Sequence, residues 1–428
     1  MTATEVTGRS LAPDLARGFM LLPIALAHTP MFVSGQASGA LDAVATFLKH
    51  LLADNQARPM FVFLFGYALG QMMRRHQARG GDWPSFRALL RRRSLWLIAI
   101  GFVNGMLLVP LDIVAVYGVT LLALVPMVRA RDSVLWWTAA AALVPATLMV
   151  AWQSMATYAG MVPATLAGTM PAGFGAHVMA DLQGWPLKTL LSTLAVVPGM
   201  LLGVWAARRA ILDEPGRHAV LLRRVALVCL GAALAGRLPA ALLVAGAWTT
   251  GSYAAVAVAH TLTGYAGGIG LAALIGLVAL RAEGARTPLA TEPRHERATA
   301  TGRGPLTPAG NGPHRLPDHA GGGPLTPAGD GRATTATEAG RGPFTAAVAA
   351  LGRRSLTFYL LQSVVFVVLF YPFTLDLSAG LGVAAACGIA VALWAVSIPL
   401  ADWMRRAGHR GPAEVLLRRL TYRRSTTP

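Results

Sequence analysis

The first long apolar run of the sequence carries three ionisable side chains, Asp14, Arg17 and His28. Asp14 and Arg17 are three residues apart, which places them on adjacent turns of a helix. The 11-residue spacing from Arg17 to His28 closes to within about 20° of whole turns, so all three project from one face, with His28 about 16 Å beyond Arg17. Ionisable groups inside an apolar span are costly and usually functional.

This triplet predicts a site that holds an anion and moves a proton. Arg17 carries a planar, permanently charged fork that suits phosphate or carboxylate, and Asp14 can hold its orientation. His28 can act as a general base or as an acyl acceptor, and we assign it the catalytic role. In the alternative interpretation, Asp14 and Arg17 are interfacial residues and His28 forms a hydrogen bond at the outer rim.

Further polar side chains lie inside later apolar runs and are candidate substrate-binding residues. Together with Asp14 and Arg17, the predicted binding set contains Asp112, Tyr117, Arg237, Tyr359 and Gln362. An arginine in the middle of an apolar run needs a partner or a water-filled cavity, so Arg237 is as consistent with a structural role as with a site. Gln362 has the alternative role of bridging two helices through a hydrogen bond.

The composition requires an apolar environment around the chain. Of 428 residues, 54% are hydrophobic and 13% are charged, and the mean hydropathy is +0.53. Soluble domains carry about 25% charged residues, and so much apolar surface cannot be buried in one water-soluble core. The formal net charge of +18 does not indicate nucleic-acid binding, because the basic residues lie between the apolar runs.

The apolar runs define the predicted fold, an all-α, polytopic transmembrane helical bundle of about ten spans. They lie at roughly 15–33, 58–73, 94–110, 112–128, 133–155, 187–207, 225–247, 254–280, 355–373 and 379–404. Arginine is concentrated in the links 74–93 and 208–224 and in the tail 405–428, whereas the opposite side carries Lys49 and Lys188 and little else. By the positive-inside rule, both termini are cytoplasmic, and the predicted location is an inner (plasma) membrane.

The sequence divides into three predicted parts. Residues 1–281 are the bundle of the first eight spans, and 344–428 hold the last two spans and a basic cytoplasmic tail. Between them, 282–343 is rich in Gly, Pro and Thr and is predicted to be a disordered cytoplasmic linker. The two cysteines, Cys229 and Cys387, lie within apolar runs, and neither a metal site nor a tightly bound cofactor is expected.

Several stretches of the chain resemble the YeiB-like bacterial membrane family, which has no established function. They are Asp14-Leu-Ala-Arg17-Gly18, Leu111-Asp112-Ile113-Val114 with Tyr117, the stretch from Leu351 to Ser363, and the stretch from Gly411 to Tyr422. The last two are the most specific, and together the stretches run through nearly the whole chain apart from 282–343. The first stretch is also similar to the opening helix of the acyltransferase-three membrane enzymes, which carry an Arg and a His at this same separation.

These resemblances and the triplet together predict an acyltransferase. It would move an acyl group from a cytoplasmic CoA thioester to an extracytoplasmic acceptor, a glycan or a lipid, with acyl-CoA as a donor substrate rather than a bound cofactor. Arg17 would bind the donor phosphates, Asp14 would brace Arg17, and His28 would deprotonate the acceptor or carry the acyl group.

Two alternatives stay open. One is a transporter of a small or lipidic solute, with Asp112, Arg237 and His260 along its path, although the sequence shows no clear inverted repeat of the kind that many transporters have. The other is a membrane scaffold without turnover. In each case the predicted partners are the lipid bilayer and small molecules, and not nucleic acid.

Overall fold

The computed structural model describes residues 10–34, 39–284 and 342–422, which form α-helices joined by short links and 3₁₀ turns. The first seven helices are α1 Leu11–His28, α2 Ala40–Leu52, α3 Ala57–Ala78, α4 Trp83–Leu107, α5 Val114–Leu124, α6 Asp132–Tyr158 and α7 Phe174–Arg208. They are followed by α8 Ala219–Val244, α9 Tyr253–Gly284, α10 Pro343–Gly352, α11 Ser355–Phe370, α12 Val383–Arg406 and α13 Pro412–Thr421. No β-strand occurs within the described ranges, and the all-α prediction is confirmed.

Every predicted apolar run coincides with a helix, but several boundaries differ from the prediction. α7 begins at Phe174 rather than near 187, because the glycines and the proline between 174 and 187 interrupt the apolar run without ending the helix. α5 is only 11 residues long, since the links on either side take up the rest of its predicted run. α4 extends back to Trp83, where the Asp82 carboxylate accepts a hydrogen bond from the backbone N–H of Ser85 (3.2 Å) and caps the helix.

Among the described residues, six helices are long and apolar enough to cross a membrane: α1 with the 3₁₀ turn that follows it, α6, α7, α8, α9 and α12. α10 and α11 form a pair that is bent by 79°, and the pair makes a seventh candidate if it is one span. α3 and α4 are as long but carry several arginines, and α5 is short. The count of about ten spans and the cytoplasmic position of the termini therefore stay predictions.

The outer surface of the bundle is apolar. Large hydrophobic side chains such as Trp137 (77% exposed), Leu227 (71%) and Val396 (63%) point away from the protein. A water-soluble monomer rarely exposes such extensive apolar surface, whereas a surface in contact with lipid requires it. The helices therefore pack against one another on one face and are suited to acyl chains on the other.

The two ends of the bundle differ in charge. One end, called the basic end, carries the start of α1 and the arginine-rich regions 74–93 and 208–224. Ion pairs hold its links together, as where Arg208 Nη1 lies 2.8 Å from Asp132 Oδ1. The opposite end, called the cavity end, carries the end of α1, the start of α3 and the link 108–113.

α2 is a short amphipathic helix at the cavity end. Leu41 (79% exposed), Val44 and Leu48 face outward, while Asp42 is buried against the start of α12. There the Asp42 carboxylate accepts a hydrogen bond from the backbone N–H of Ala384 (2.7 Å). An exposed apolar stripe with a buried polar face suits a helix that lies at a membrane interface.

The predicted linker 282–343 lies almost entirely outside the described residues. Its first residues, 282–284, belong to the end of α9, and its last residue, Pro343, begins α10. The division of the chain into three parts therefore stays a prediction.

Candidate ligand-binding cavity

A cavity of about 680 Å³ lies between the helices at the cavity end. Small-molecule pockets have volumes of about 300–1,000 Å³, so this space suits a small organic ligand or a lipid headgroup. Its charged and hydrogen-bonding lining residues include His28, Lys49, His50, Asp54, Asn55, Arg58, Asp112, Tyr158, Lys188, His260 and Tyr359. They come from α1, α2, α3, α6, α7, α9 and α11 and from two links, so the cavity depends on the whole fold.

His28 is the last residue of α1 and lines the cavity. The helix ends there because Pro30 follows in a 3₁₀ turn, which leads the chain away from the α-helical path. His28 forms no hydrogen bond and no ion pair with any described residue. Its imidazole therefore has both ring nitrogens free to take part in proton transfer to or from a bound molecule.

Asp112 lies in the link 108–113 and also lines the cavity. One carboxylate oxygen accepts a hydrogen bond from the Asn104 side-chain amide (3.1 Å), and the other accepts one from the backbone N–H of Ala115 (2.7 Å). The second bond caps the first turn of α5, where backbone N–H groups lack helical partners. Asp112 therefore stabilises the start of α5 in addition to facing the cavity.

Tyr359 connects the same link to α11. Its hydroxyl accepts a hydrogen bond from the backbone N–H of Ile113 (3.3 Å) and donates one to the carbonyl of Leu111 (3.2 Å). Non-helical backbone inside a membrane protein needs such partners, because lipid cannot supply them. Tyr359 thus holds Asp112 and its link in place at the cavity wall.

The link between α2 and α3 carries a charged group at the cavity. Asp54 pairs with Lys49 (2.7 Å) and lies 3.3 Å from Nε2 of His50. Burial alone would raise the pKa of the Asp54 carboxyl, but the neighbouring Lys49 and His50 hold it below its usual value. Asp54 therefore carries its charge within an ion pair, and its negative charge offsets that of Lys49.

His260 of α9 closes another part of the cavity wall. Its Nδ1 is hydrogen-bonded to the Tyr158 hydroxyl (2.9 Å) and lies 3.3 Å from the side-chain nitrogen of Asn55. Its Nε2 is buried without a hydrogen-bond partner among the described residues. The ring is therefore held from one side, and its other nitrogen is buried without a partner in the described part of the chain.

Arg58, in the first turn of α3, also lines the cavity, and sequence reasoning missed it. Its guanidinium forms no hydrogen bond and no ion pair with any described residue, and its Nε is buried. The signal that could have identified it is its charge: Arg58, like Lys49 and Lys188, stands away from the arginine-rich links. All three of these cations line the cavity.

Asp14 and Arg17 lie far from this cavity. Arg17 Nη1 is 3.2 Å from Asp14 Oδ1 near the basic end, as the spacing predicted for the pair. The described cavity lining includes His28 but neither of these two residues. The expectation that all three side chains point into one hollow is therefore not met, because α1 separates them by about 16 Å along its axis and its middle turns are packed.

Three other predicted binding residues, Tyr117, Gln362 and Arg237, also lie outside the cavity lining. Tyr117 packs beside Phe61 and Phe65, with ring centroids 5.1 Å and 4.8 Å away, and its buried hydroxyl has no partner among the described residues. The Gln362 side-chain nitrogen donates to the carbonyl of Leu21 (3.1 Å), so it bridges α11 and α1. The roles of both residues in substrate binding stay predictions.

Arg237 is completely buried in α8 beneath the α2–α3 link. Its guanidinium donates to the backbone carbonyl of His50 (2.6 Å) and to that of Asp54. These carbonyls lie at the end of α2, where they lack helical partners. Arg237 therefore supports two cavity residues from below through their backbone, without lining the cavity itself.

A second polar cluster lies at the break between α10 and α11 and is called the joint. It consists of Asp14, Gly18, Gly352, Arg354, Thr357 and Glu414. Glu414 of α13 accepts hydrogen bonds from the backbone N–H groups of Leu356 (2.8 Å) and Thr357 (3.2 Å) and from the Thr357 hydroxyl (2.5 Å). Arg354 donates to the carbonyls of Ala350 (3.0 Å) and His409. The joint thus supplies hydrogen-bond partners for backbone groups at the end of α10 and the start of α11.

Glycines let α1 and α10 touch along their backbones at the joint. A Cβ atom added at Gly352 would overlap the carbonyl of Asp14, and one added at Gly18 would overlap that of Val348. Such close contact between helices in membranes is typical of small residues. The joint therefore brings together the stretches around Asp14, Leu351 and Gly411 that carry the resemblance described above.

The fold and the cavity together define a multi-pass helical membrane protein with a polar cavity between its helices. Residues 333–424 match the family described as Protein of unknown function (DUF418), a match that is consistent with the YeiB-like resemblance and carries no activity. The matched segment contains α10 to α13 and contributes Tyr359 and Val383 to the cavity. The chain matches no curated protein and no solved structure.

In the described part of the chain, no group of three or more His, Cys, Asp or Glu side chains is arranged to hold a metal ion. The histidines near the cavity are instead hydrogen-bonded to Tyr158, Asp54 or backbone carbonyls, or are free like His28. The chemistry that these residues offer is proton transfer and anion binding.

Proposed function

We propose that this membrane protein is an acyltransferase in which His28 acts as the general base at the cavity. The observation that carries the proposal is the free imidazole of His28, which lines a ligand-sized polar cavity and forms no hydrogen bond with any described residue. A general base has to be within hydrogen-bond reach of the acceptor proton, and a residue already paired with protein groups is less available for that role.

The reaction that fits this arrangement is transfer from a CoA thioester to a hydroxyl group. His28 takes the proton of the acceptor hydroxyl. At the same time, the hydroxyl oxygen attacks the thioester carbonyl and forms the new C–O bond. The C–S bond then breaks, and the leaving thiolate receives the proton from the His28 imidazolium. Atoms and charges balance without a metal or a redox partner.

Arg17 keeps its proposed role as the residue that binds the donor phosphates, with Asp14 holding its side chain at 3.2 Å. The donor would then enter from the basic end, and its flexible arm would extend along α1 for about 16 Å toward His28. A path along α1 has to open for this step, because the described cavity ends before Arg17. The acceptor would enter the cavity from the opposite side, as a glycan or a lipid.

Replacing His28 by alanine tests the proposal. We expect His28→Ala to reduce acyl transfer from acyl-CoA in proteoliposomes by about 100-fold or more, the usual contribution of a general base. The matched control is His409→Ala, because His409 is exposed at the basic end and its side chain lies outside the cavity. Thermal unfolding in detergent should be the same for both variants. Full turnover by His28→Ala, or no CoA-dependent transfer by the unaltered protein, would overturn the assignment.

Binding and transport of an anionic or lipidic solute is the second candidate function. The observation that favours it is the unpaired cation Arg58 in a cavity whose lining does not include Arg17. Of the three residues predicted to follow a transport path, Asp112 and His260 line the cavity, while Arg237 supports it from below. Solute flux into proteoliposomes that is independent of CoA would favour transport over acyl transfer.

A further inference from the structure

The cavity lining carries more positive than negative side chains. Lys49, Arg58 and Lys188 line it, against the two carboxylates Asp54 and Asp112. A charge at membrane depth is expensive and is usually paired or functional. The partners of these three cations therefore indicate which of them is available to a ligand.

Two of the three have partners within the protein. Lys49 is paired with Asp54 at 2.7 Å, and Lys188 donates to the backbone carbonyl of Pro110. Arg58 has neither a carboxylate nor a carbonyl partner among the described residues, and its Nε is buried away from solvent. The unsatisfied cation of the cavity is thus an arginine rather than a lysine.

Three arginines elsewhere in the fold show how protein groups can satisfy a guanidinium, whereas Arg93, outside the cavity, has a buried Nε without a partner among the described residues. Arg237 and Arg354 each donate to two backbone carbonyls. Arg208 donates to the carbonyl of Ala130 (2.7 Å) and to the Asp132 carboxylate (2.8 Å). Unlike those three arginines, Arg58 has no partner among the described residues, and unlike Arg93 it lines a cavity. Its guanidinium therefore indicates a partner from outside the chain, since a buried donor without a hydrogen bond is costly.

The position of Arg58 connects this unpaired charge to the proposed reaction site. Arg58 and His28 line the same cavity. Lys188 lines it as well, together with Asp112. An anion held by Arg58 would therefore present the rest of its molecule to the free imidazole.

We propose that Arg58 is an anion-binding residue of the cavity and that the acceptor carries a phosphate or a carboxylate group. The guanidinium fork matches the planar pair of oxygens of a carboxylate or phosphate and can bind it through two hydrogen bonds. This inference deepens the proposed function, on which it rests in treating the bound molecule as the acyl acceptor. Lys188 contributes positive charge at longer range.

The same oxyanion chemistry can come from a membrane lipid or from a water-soluble molecule, and two binding measurements distinguish them. In the first, the protein is placed in nanodiscs of phosphatidylcholine, and binding of added phosphatidylglycerol is measured by the shift of thermal unfolding. In the second, glycerol 3-phosphate is titrated into the protein in detergent by calorimetry. The variants are Arg58→Gln, which removes the charge, and Arg58→Lys, which keeps the charge but loses the fork.

We expect Arg58→Gln to weaken binding of the effective probe by about 10- to 100-fold, the loss of hydrogen bonds to a charged group. Arg58→Lys should lie between Arg58→Gln and the unaltered protein, since a lysine replaces the fork by a point charge. The matched control, Arg79→Gln, changes an exposed arginine at the basic end and should leave binding unchanged. Unaltered binding by Arg58→Gln, or no binding of either probe by the unaltered protein, would overturn the inference.

The two proposals fail in different ways. If His28→Ala binds the anionic probe normally and the unaltered protein shows no acyl transfer, the acyltransferase proposal falls and the anion site stands. If Arg58→Gln binds both probes as well as the unaltered protein while His28→Ala loses transfer, the anion site falls and the acyltransferase stands.

Discussion

The joint and the cavity both contain charged and polar side chains, but only at the joint do protein groups supply most of the hydrogen-bond partners. At the joint, Glu414 accepts three hydrogen bonds and Arg354 donates to two carbonyls, so the break between α10 and α11 is closed by protein groups. At the cavity, His28 and Arg58 form no hydrogen bond with any described residue. Buried polar groups in proteins are nearly always paired, so the joint has the features of a structural element and the cavity those of a site.

The difference also shows why motif resemblance and site position need not coincide. The match to the DUF418 family covers 333–424, which includes most of the joint but only Tyr359 and Val383 of the cavity lining. The cations and histidines that face the cavity come from α1, α2, α3, α7 and α9. The matched segment therefore holds most of the joint and little of the cavity lining.

Adding a methyl group at the joint should give the largest loss of stability. Gly352→Ala places a Cβ where the backbone of Asp14 lies, and neither helix can move without breaking the cap at the joint. We expect a loss of about 3 kcal/mol or more, at the upper end of overpacking effects, measured as lower yield and a lower unfolding temperature in detergent.

Gly388→Ala in α12 is the matched control for Gly352→Ala. An added Cβ at Gly388 has no neighbour within 4 Å, so this change should be neutral or slightly stabilising, as for Gly to Ala in other helices. Equal stability of the two variants would contradict the assignment of the joint as a tightly closed backbone contact.

Removing the carboxylate of Glu414 should have the next largest effect. Glu414→Ala leaves the backbone N–H groups of Leu356 and Thr357 without acceptors at the start of α11, and we expect a loss of about 2 kcal/mol. Glu414→Gln keeps an acceptor oxygen and should lose less. Thermal unfolding of the two variants, with ligand binding at the cavity as a second readout, would separate a joint that only stabilises from one that also controls the cavity.

A pair of tyrosine variants should give the smallest change in stability, and each variant removes a single hydroxyl group. Tyr359→Phe removes a hydroxyl with two backbone partners and should cost about 1 kcal/mol. Tyr117→Phe removes a buried hydroxyl that has no partner among the described residues, so it should be neutral or stabilising. If Tyr117→Phe is instead the more damaging change, the Tyr117 hydroxyl has a partner such as a bound ligand, and its predicted role in binding gains support.

Sequence reasoning located the helices because apolar runs are a strong signal. It placed the start of α7 too late, since glycines and a proline interrupt the run between 174 and 187 while the helix continues. At the site, His28, Asp112 and Tyr359 were predicted as site residues and are brought together by the fold. Arg58 was missed because a basic residue at the start of an apolar run looks like an ordinary flanking residue.

Arg237 shows a limit of sequence reasoning that no pattern removes. Its partners are backbone carbonyls at the end of α2, nearly 200 positions earlier in the chain, and carbonyls have no residue type by which they could be recognised. The sequence could indicate that Arg237 needs a partner, but only the packing of α8 against α2 identifies one.

The amphipathic character of α2 makes this short helix the partition between the bilayer and the cavity. Leu41 and Leu48 face outward, whereas Lys49 and His50 line the cavity. One helix diameter, about 10 Å, therefore separates surrounding lipid from the charged interior. The composition of the adjacent leaflet thus becomes a variable of the protein's chemistry, and a molecule already dissolved in that leaflet starts within a helix width of the cavity.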